Sequence, residues 1–187
     1  MARSALSSAD APQVIRFSEI LESPWINGGG SVRVIATGHG NTNNEWGWRL
    51  SIADVGQSGE FSRLPGVDRV LTVVDGGPLQ LNINGTDHEV SAFQPFMFDG
   101  GAVTTAALSH GPVRNLNLMC RIGHIEGRIS VVPLEGQARI QGHAIILLSG
   151  SAETAGTELL QFDTLVAPGE ASFDVSGTGA LAVLTLR

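Results

Sequence analysis

The feature that most constrains this chain is an internal repeat. Val70-Leu-Thr-Val-Val-Asp-Gly76 matches Ala144-Ile-Ile-Leu-Leu-Ser-Gly150 in length and in pattern, an apolar run closed by glycine. A short hairpin-like region follows each. Phe93-Gln-Pro-Phe-Met-Phe-Asp-Gly100 then aligns without a gap with Phe162-Asp-Thr-Leu-Val-Ala-Pro-Gly169. The stretch from Gly76 to Gly100 is five residues longer than that from Gly150 to Gly169, which a longer hairpin in the first copy absorbs. Self-similarity of this kind marks one supersecondary unit used twice. The reading is a loose N-terminal tail over 1–13, a first β-unit over 14–123 and a smaller second one over 124–187, joined between Gly123 and Gly136.

The rest of the chain reads as short strands. Val32 to Ala36 and Trp46 to Val55 alternate, the latter with Trp48, Leu50 and Ile52 on one face and Arg49, Ser51 and Ala53 on the other. Thr37 to Glu45 is polar and glycine-containing, which predicts a loop. Asn84-Gly85 lies between two strand-like runs and is the strongest short hairpin signal in the chain. Val14 to Phe17 predicts a first strand, and Phe17 to Leu21 a single helical turn. Gly is abundant, at 24 residues, and charged residues make up only 16%, which favours strands and tight turns over long solvated helices. The class is all-β, a sandwich or barrel.

Charge and cysteine exclude several functions. The net charge is −7 and all 11 basic residues are Arg, scattered without a stripe, so nucleic acid is not an expected partner. Cys120 is the single cysteine, which rules out an internal disulfide and a Cys-cluster metal site, and its apolar surroundings predict a buried thiol. No run approaches the roughly 18 apolar residues of a membrane span, and the first residues lack a signal-peptide core. The expectation is a soluble, cytoplasmic protein that does not bind membranes.

Each unit resembles a cupin, a jelly-roll family whose barrel mouth holds a metal or small ligand. The usual cupin pattern is H-x-H, then Glu, then six residues and Gly. Counted back from Gly76, Arg69 takes the Glu position, and the two His positions fall on Ser62 and Leu64 or on Arg63 and Pro65. In the second cupin motif Thr104 stands where His is usual. In the second copy His143 takes the Glu position and Phe173 the His position. Metals want three or four converging ligands, so neither a metal nor another cofactor is expected.

A closer resemblance lies in Pro24-Trp-Ile-Asn-Gly-Gly-Gly30, Trp48 to Val55, Gly59 to Arg69, Phe96 to Gly100 and Gly111 to Met119. These segments, in this order, resemble the HutD/Ves family across residues 14–187. The resemblance implies a bicupin without established enzymatic activity. It also implies a regulatory or sensing role, through binding of a histidine-utilisation intermediate such as formylglutamate. The chain departs from the family at Ile26, where Lys is usual.

The residues picked for a small anionic ligand are Trp25, Asn27, Arg49, Ser51, Ser62, Arg63, Arg69 and Phe98. A guanidinium fork matches a carboxylate, and two or three of them suit a dicarboxylate. The competing structural reading pairs these arginines with Asp54, Asp68 and Asp99. Gly28 to Gly30 lack both P-loop spacing and a following helix, so they read as a sharp turn. A Ser62, His88, Asp99 triad can be assembled on paper but has no nucleophile-elbow motif behind it. The alternatives to a binding protein are a metal-independent isomerase or hydrolase using Asp54 or Asp99, and an interaction module whose edge strands pair in a homodimer.

Overall fold

The computed structural model describes residues 12–25, 28–39 and 46–187. Its strands are β1 (Gln13–Ile15), β2 (Ser23–Pro24), β3 (Gly30–His39), β4 (Trp46–Val55), β5 (Gly59–Glu60), β6 (Val67–Asp75) and β7 (Leu79–Ile83). They continue as β8 (Thr86–Val90), β9 (Phe96–Asp99), β10 (Thr104–Ala107), β11 (Val113–Arg121), β12 (Gly127–Thr154), β13 (Thr157–Leu159) and β14 (Thr164–Leu186). A single 3-10 turn, Phe17–Glu19, falls within the predicted helical turn. The fold is all-β, as the alternation and glycine content require.

The chain divides into two compact units, one of Ile20–Ile129 with Arg187, the other of the N-terminal segment through Glu19 with Ser130–Leu186. The sequence reading set the N-terminal strand with the first unit, from residue 14. β1 is not part of the larger unit, because Gln13, Val14 and Ile15 pair with Val166, Leu165 and Thr164 of β14. Arg16 then donates to Asp163 Oδ2 at 2.6 Å and the Phe17 amide to its Oδ1 at 2.9 Å. An edge strand is placed by the partner whose ladder it completes, and sequence order does not reveal that partner.

The larger unit holds a six-stranded sheet, β2-β3-β4-β11-β6-β9, and a four-stranded sheet, β5-β10-β7-β8. Leu71, Val73, Leu79, Leu81, Val90 and Phe98 form part of its apolar core. β3 runs on to His39, through residues expected to be loop, because Thr37 and Gly38 pair with Arg49 and Trp48. A side chain at Gly38 has no room, since the Trp48 indole covers that position. The smaller unit is built on the sheet β1-β14-β12-β13, around Leu134, Ile145, Leu147, Leu159, Phe173, Leu181 and Val183.

The two copies of the repeat carry the same backbone marks. Gly76 and Gly150 have φ of 73° and 86°, and the hairpins turn at Asn84-Gly85 and Ala155-Gly156, all with positive φ. Consecutive left-handed residues match the twist of a two-residue hairpin. Phe93 and Phe162 are both left-handed, at 61° and 70°. The Phe93 amide donates to Val73 O at 2.8 Å, and the Phe162 amide to Leu147 O at 2.7 Å. Strain at a bulky residue persists only when its surroundings impose it, and it occurs here at aligned positions of the two segments.

Candidate functional site

The site arises from alternation on three adjacent strands. Inward on β4 lie Arg49, Ser51 and Ala53, and inward on β11 lie Asn115, Asn117 and Met119. Arg69 of β6 joins them. The register sets Arg49 opposite Met119, Met119 opposite Arg69, and Arg69 opposite Phe98 of β9. The two arginines thus share one rung with a single strand between them, about 10 Å apart at the backbone. The next rung carries Ser51 opposite Asn117.

These side chains face a cavity of about 600 Å³ within the larger unit, closed further by Pro24, Trp25, Val32, Trp46, Glu60, Phe61, Ser62 and Leu64. The connection bearing Phe61 to Leu64 is pinned to the segment after β9. The Phe61 amide donates to Thr104 O at 2.9 Å and the Leu64 amide to Gly100 O at 2.7 Å. Trp25 is held by a turn in which its amide donates to Gly30 O at 2.9 Å and its carbonyl accepts from the Gly28 amide at 3.0 Å. Gly30 is required there, because a Cβ would run into the Asp54 carbonyl and press on the Trp25 ring.

The electrostatics are those of an incomplete site. Arg69 is 6% exposed, and its Nη2 donates to Asn117 Oδ1 at 3.3 Å. Its guanidinium carbon lies 5.1 Å from the ring centres of both Phe61 and Phe98. Arg49 lies over Trp46 at 5.8 Å. Asn117 donates in turn to Asn115 Oδ1. Among the described residues Arg49 Nε, Arg69 Nε and Ser51 Oγ are nevertheless buried without a hydrogen-bond partner, and Thr72 Oγ1, likewise unpartnered, is outside the cavity. Among the described residues neither arginine has a carboxylate within ion-pair distance. Burial pulls the Arg69 pKa down to about 10, and the neighbouring Arg49 charge adds to this. Burial likewise lowers that of Arg49. Leaving such groups unpaired is costly, so an unpartnered pair in a cavity is a mark of function.

The residues picked from sequence are distributed as follows. Trp25, Arg49, Ser51, Ser62 and Arg69 line the cavity. Phe98 does not line it but packs in the core and supports Arg69. Arg63 is not in the lining, because its Nε donates to Gly101 O at 3.1 Å and its side chain is exposed. Asn27, like Ile26, lies outside the described residues. Of the two alignments with the cupin His pair, Ser62 and Leu64 face the cavity and Arg63 and Pro65 do not. The proposed pairing of Arg69 with Asp68 or Asp99 is absent. Asp99 Oδ1 accepts from the Gly101 amide at 2.8 Å, whereas Asp54 is held by Arg33 at 3.2 Å and Arg114 at 2.6 Å. Ser62, His88 and Asp99 make no hydrogen bond to one another, and His88 packs on Phe96 at 5.1 Å. No cluster of three or more His, Cys, Asp or Glu suited to a metal occurs among the described residues. No helix among them is long and apolar enough to cross a membrane.

Sequence reasoning missed Asn115, Asn117, Met119, Trp46 and Glu60. The signal for the first two was present, since Asn115-Leu-Asn117-Leu sets amides at alternate positions of an otherwise apolar strand. Trp46 and Glu60 become part of the site only through sheet pairing.

A family model described as HutD matches residues 17–184. Protein Ves of Citrobacter koseri is 33% identical over 141 residues, 74% of this chain and 73% of its own length. A 21.2 kDa protein from the hutC 3' region of Pseudomonas putida is 31% identical over 143 residues, 76% of this chain and 74% of its own. Among solved structures, HutD from Pseudomonas fluorescens SBW25, in a formate condition, superposes with a TM-score of 0.80 at 32% identity, covering 95% of this chain and all of that one. A cupin 2 conserved barrel protein from Leptotrichia buccalis reaches 0.60 at 9% identity, over 98% of this chain and all of its own, and shows the cupin fold alone.

Proposed function

The chain belongs to the HutD family, and from that premise we propose that its larger unit binds a small anionic metabolite in a sensing or regulatory role. One observation carries the reading: among the described residues Arg49 Nε, Arg69 Nε and Ser51 Oγ are buried without partners, and they belong to residues lining one cavity. A carboxylate entering there accepts the donors that the fold leaves unmet and offsets the desolvation of two guanidiniums. Arg69 stands at the position where the cupin pattern has a metal-ligating Glu. The substitution exchanges an anionic group for a cationic one and so suits the pocket to anions.

The histidine-utilisation link rests on the relative from the hutC region and on the HutD name. It makes an intermediate such as formylglutamate the first ligand to try, with a cytoplasmic place of action. Against an enzyme stand the locked Asp54 and the absence of any hydrogen bond joining Ser62, His88 and Asp99.

Calorimetric titration of the full chain with formate and formylglutamate is the test. Saturable binding that weakens by about 100-fold or more in both Arg49→Met and Arg69→Met is expected, the cost of truncating one partner of a buried charged contact. Equal affinity in the variants and the unaltered chain overturns the reading.

A further inference from the structure

The cavity has two electrical ends. Arg49 and Arg69 come from the six-stranded sheet, on β4 and β6, whereas Glu60 comes from β5 of the four-stranded sheet, where it pairs with Thr105 of β10. Glu60 is exposed and is the one carboxylate among the lining residues. Among the described residues it makes no ion pair, even though two unpaired guanidiniums share its cavity. Mutual neutralisation is the cheap arrangement for opposite charges in one pocket, and among the described residues it is not made. What remains is a field across the cavity, positive at the six-stranded sheet and negative at the rim.

The geometry points to a bipolar ligand: a carboxylate seated between Arg49 and Arg69, with a hydrogen-bond-donating or cationic nitrogen at its far end facing Glu60. This deepens the anion-site reading and rests on it. Its new content is that Glu60 determines specificity. A compound with a second carboxylate in place of the nitrogen meets repulsion at the rim, and a desolvated like-charge contact is an effective means of rejection. Amino- and amido-carboxylates are therefore the favoured class, and plain dicarboxylates without a nitrogen donor the rejected one.

Three probes of equal backbone length isolate the far end: 5-aminopentanoate, pentanoate and glutarate. Titrated into the full chain, they are expected to bind in that order, with about tenfold or more between first and last, equivalent to about 1.4 kcal/mol. In Glu60→Gln the spread is expected to shrink below about threefold, and in Glu60→Lys the order is expected to invert in favour of glutarate. Both variants change an exposed side chain, and their thermal midpoints check folding. An unchanged ratio of aminopentanoate to glutarate in folded Glu60→Gln overturns the polarity inference and leaves the arginine site standing. Failure of all three probes to bind the unaltered chain overturns both.

Discussion

Arg69 and His143 occupy the same step of the repeated apolar run, one residue before Val70 and Ala144. In the smaller unit that step is settled: His143 Nδ1 accepts from the Leu186 amide at 3.2 Å, and Ile145 and Leu147 beyond it pack against other apolar residues. In the larger unit Leu71 and Val73 belong to an apolar core as well, but the neighbouring strand sets Asn117 and Asn115 opposite them, and among the described residues Arg69 Nε has no partner. The buried charges differ in the same way. Asp163, 2% exposed, accepts from Arg16, from the Phe17 amide and from the Leu160 amide at 3.0 Å. Arg69, 6% exposed, has the Asn117 amide oxygen and the rings of Phe61 and Phe98 beside its guanidinium, and among the described residues no carboxylate pairs with it. One charge is met by the fold, and the other keeps an Nε with no partner among the described residues. The repeated turns are kept in both copies, while Asn115 and Asn117 come from the strand laid beside the repeated run of the larger unit.

The comparison breaks most visibly in stability. Leu147→Ala in the smaller unit is expected to cost about 2–5 kcal/mol in urea unfolding, the range for an apolar side chain removed from a filled core. Asp163→Ala is expected to cost about 3 kcal/mol, because it strands the donors that now converge on the carboxylate. Arg69→Met in the larger unit should instead fall within about 1 kcal/mol of the unaltered chain or stabilise it, since an apolar chain of similar size replaces an under-paired buried cation. A loss as large as that of Leu147→Ala would make Arg69 a structural residue.

Binding sharpens the contrast next. A guanidinium with its pKa lowered to about 10 is fully charged at neutral pH. Anion affinity should therefore be flat from about pH 6 to 9 and fall as the pH passes the lowered value, with Kd read by calorimetry. A step between pH 6 and 7 would implicate a histidine instead. The smallest effect concerns Cys120. Burial, with the Asp68 charge adding to it, pushes its thiol up to about 11 from 9.0. A raised folded value means that the protonated thiol contributes stability below the unfolded value, lost as the pH rises through about 11. At pH 8 a disulfide reagent should leave native Cys120 unmodified and react promptly once the chain is unfolded in urea.

Much of this was legible in the sequence. The repeat, the Asn84-Gly85 hairpin and the two faces of Trp46 to Val55 follow from turn chemistry and from a period of two, which are local properties. Arg49 and Ser51 both line the cavity because alternation decides which side chains of a strand share a face, whereas Trp25, Ser62 and Arg69, which also line it, were chosen from motif position. The place of Arg63 outside the lining was not legible, because its neighbourhood depends on Gly101, far along the chain. The fate of Arg69 was equally hidden. Asp68 is adjacent in sequence, yet adjacent strand residues point to opposite faces, so proximity in the chain separates these two groups.

By itself, then, the sequence determined the all-β class, the family and the inward face of β4, all of which local pattern and motif order express. The tertiary structure alone decided that β1 completes the sheet of the smaller unit, that Asn115 and Asn117 floor the cavity, and that Glu60 and the arginines occupy different sheets. Each of these depends on which strands lie side by side, and hydrogen-bonded ladders join residues tens of positions apart with no local signal to announce the partner.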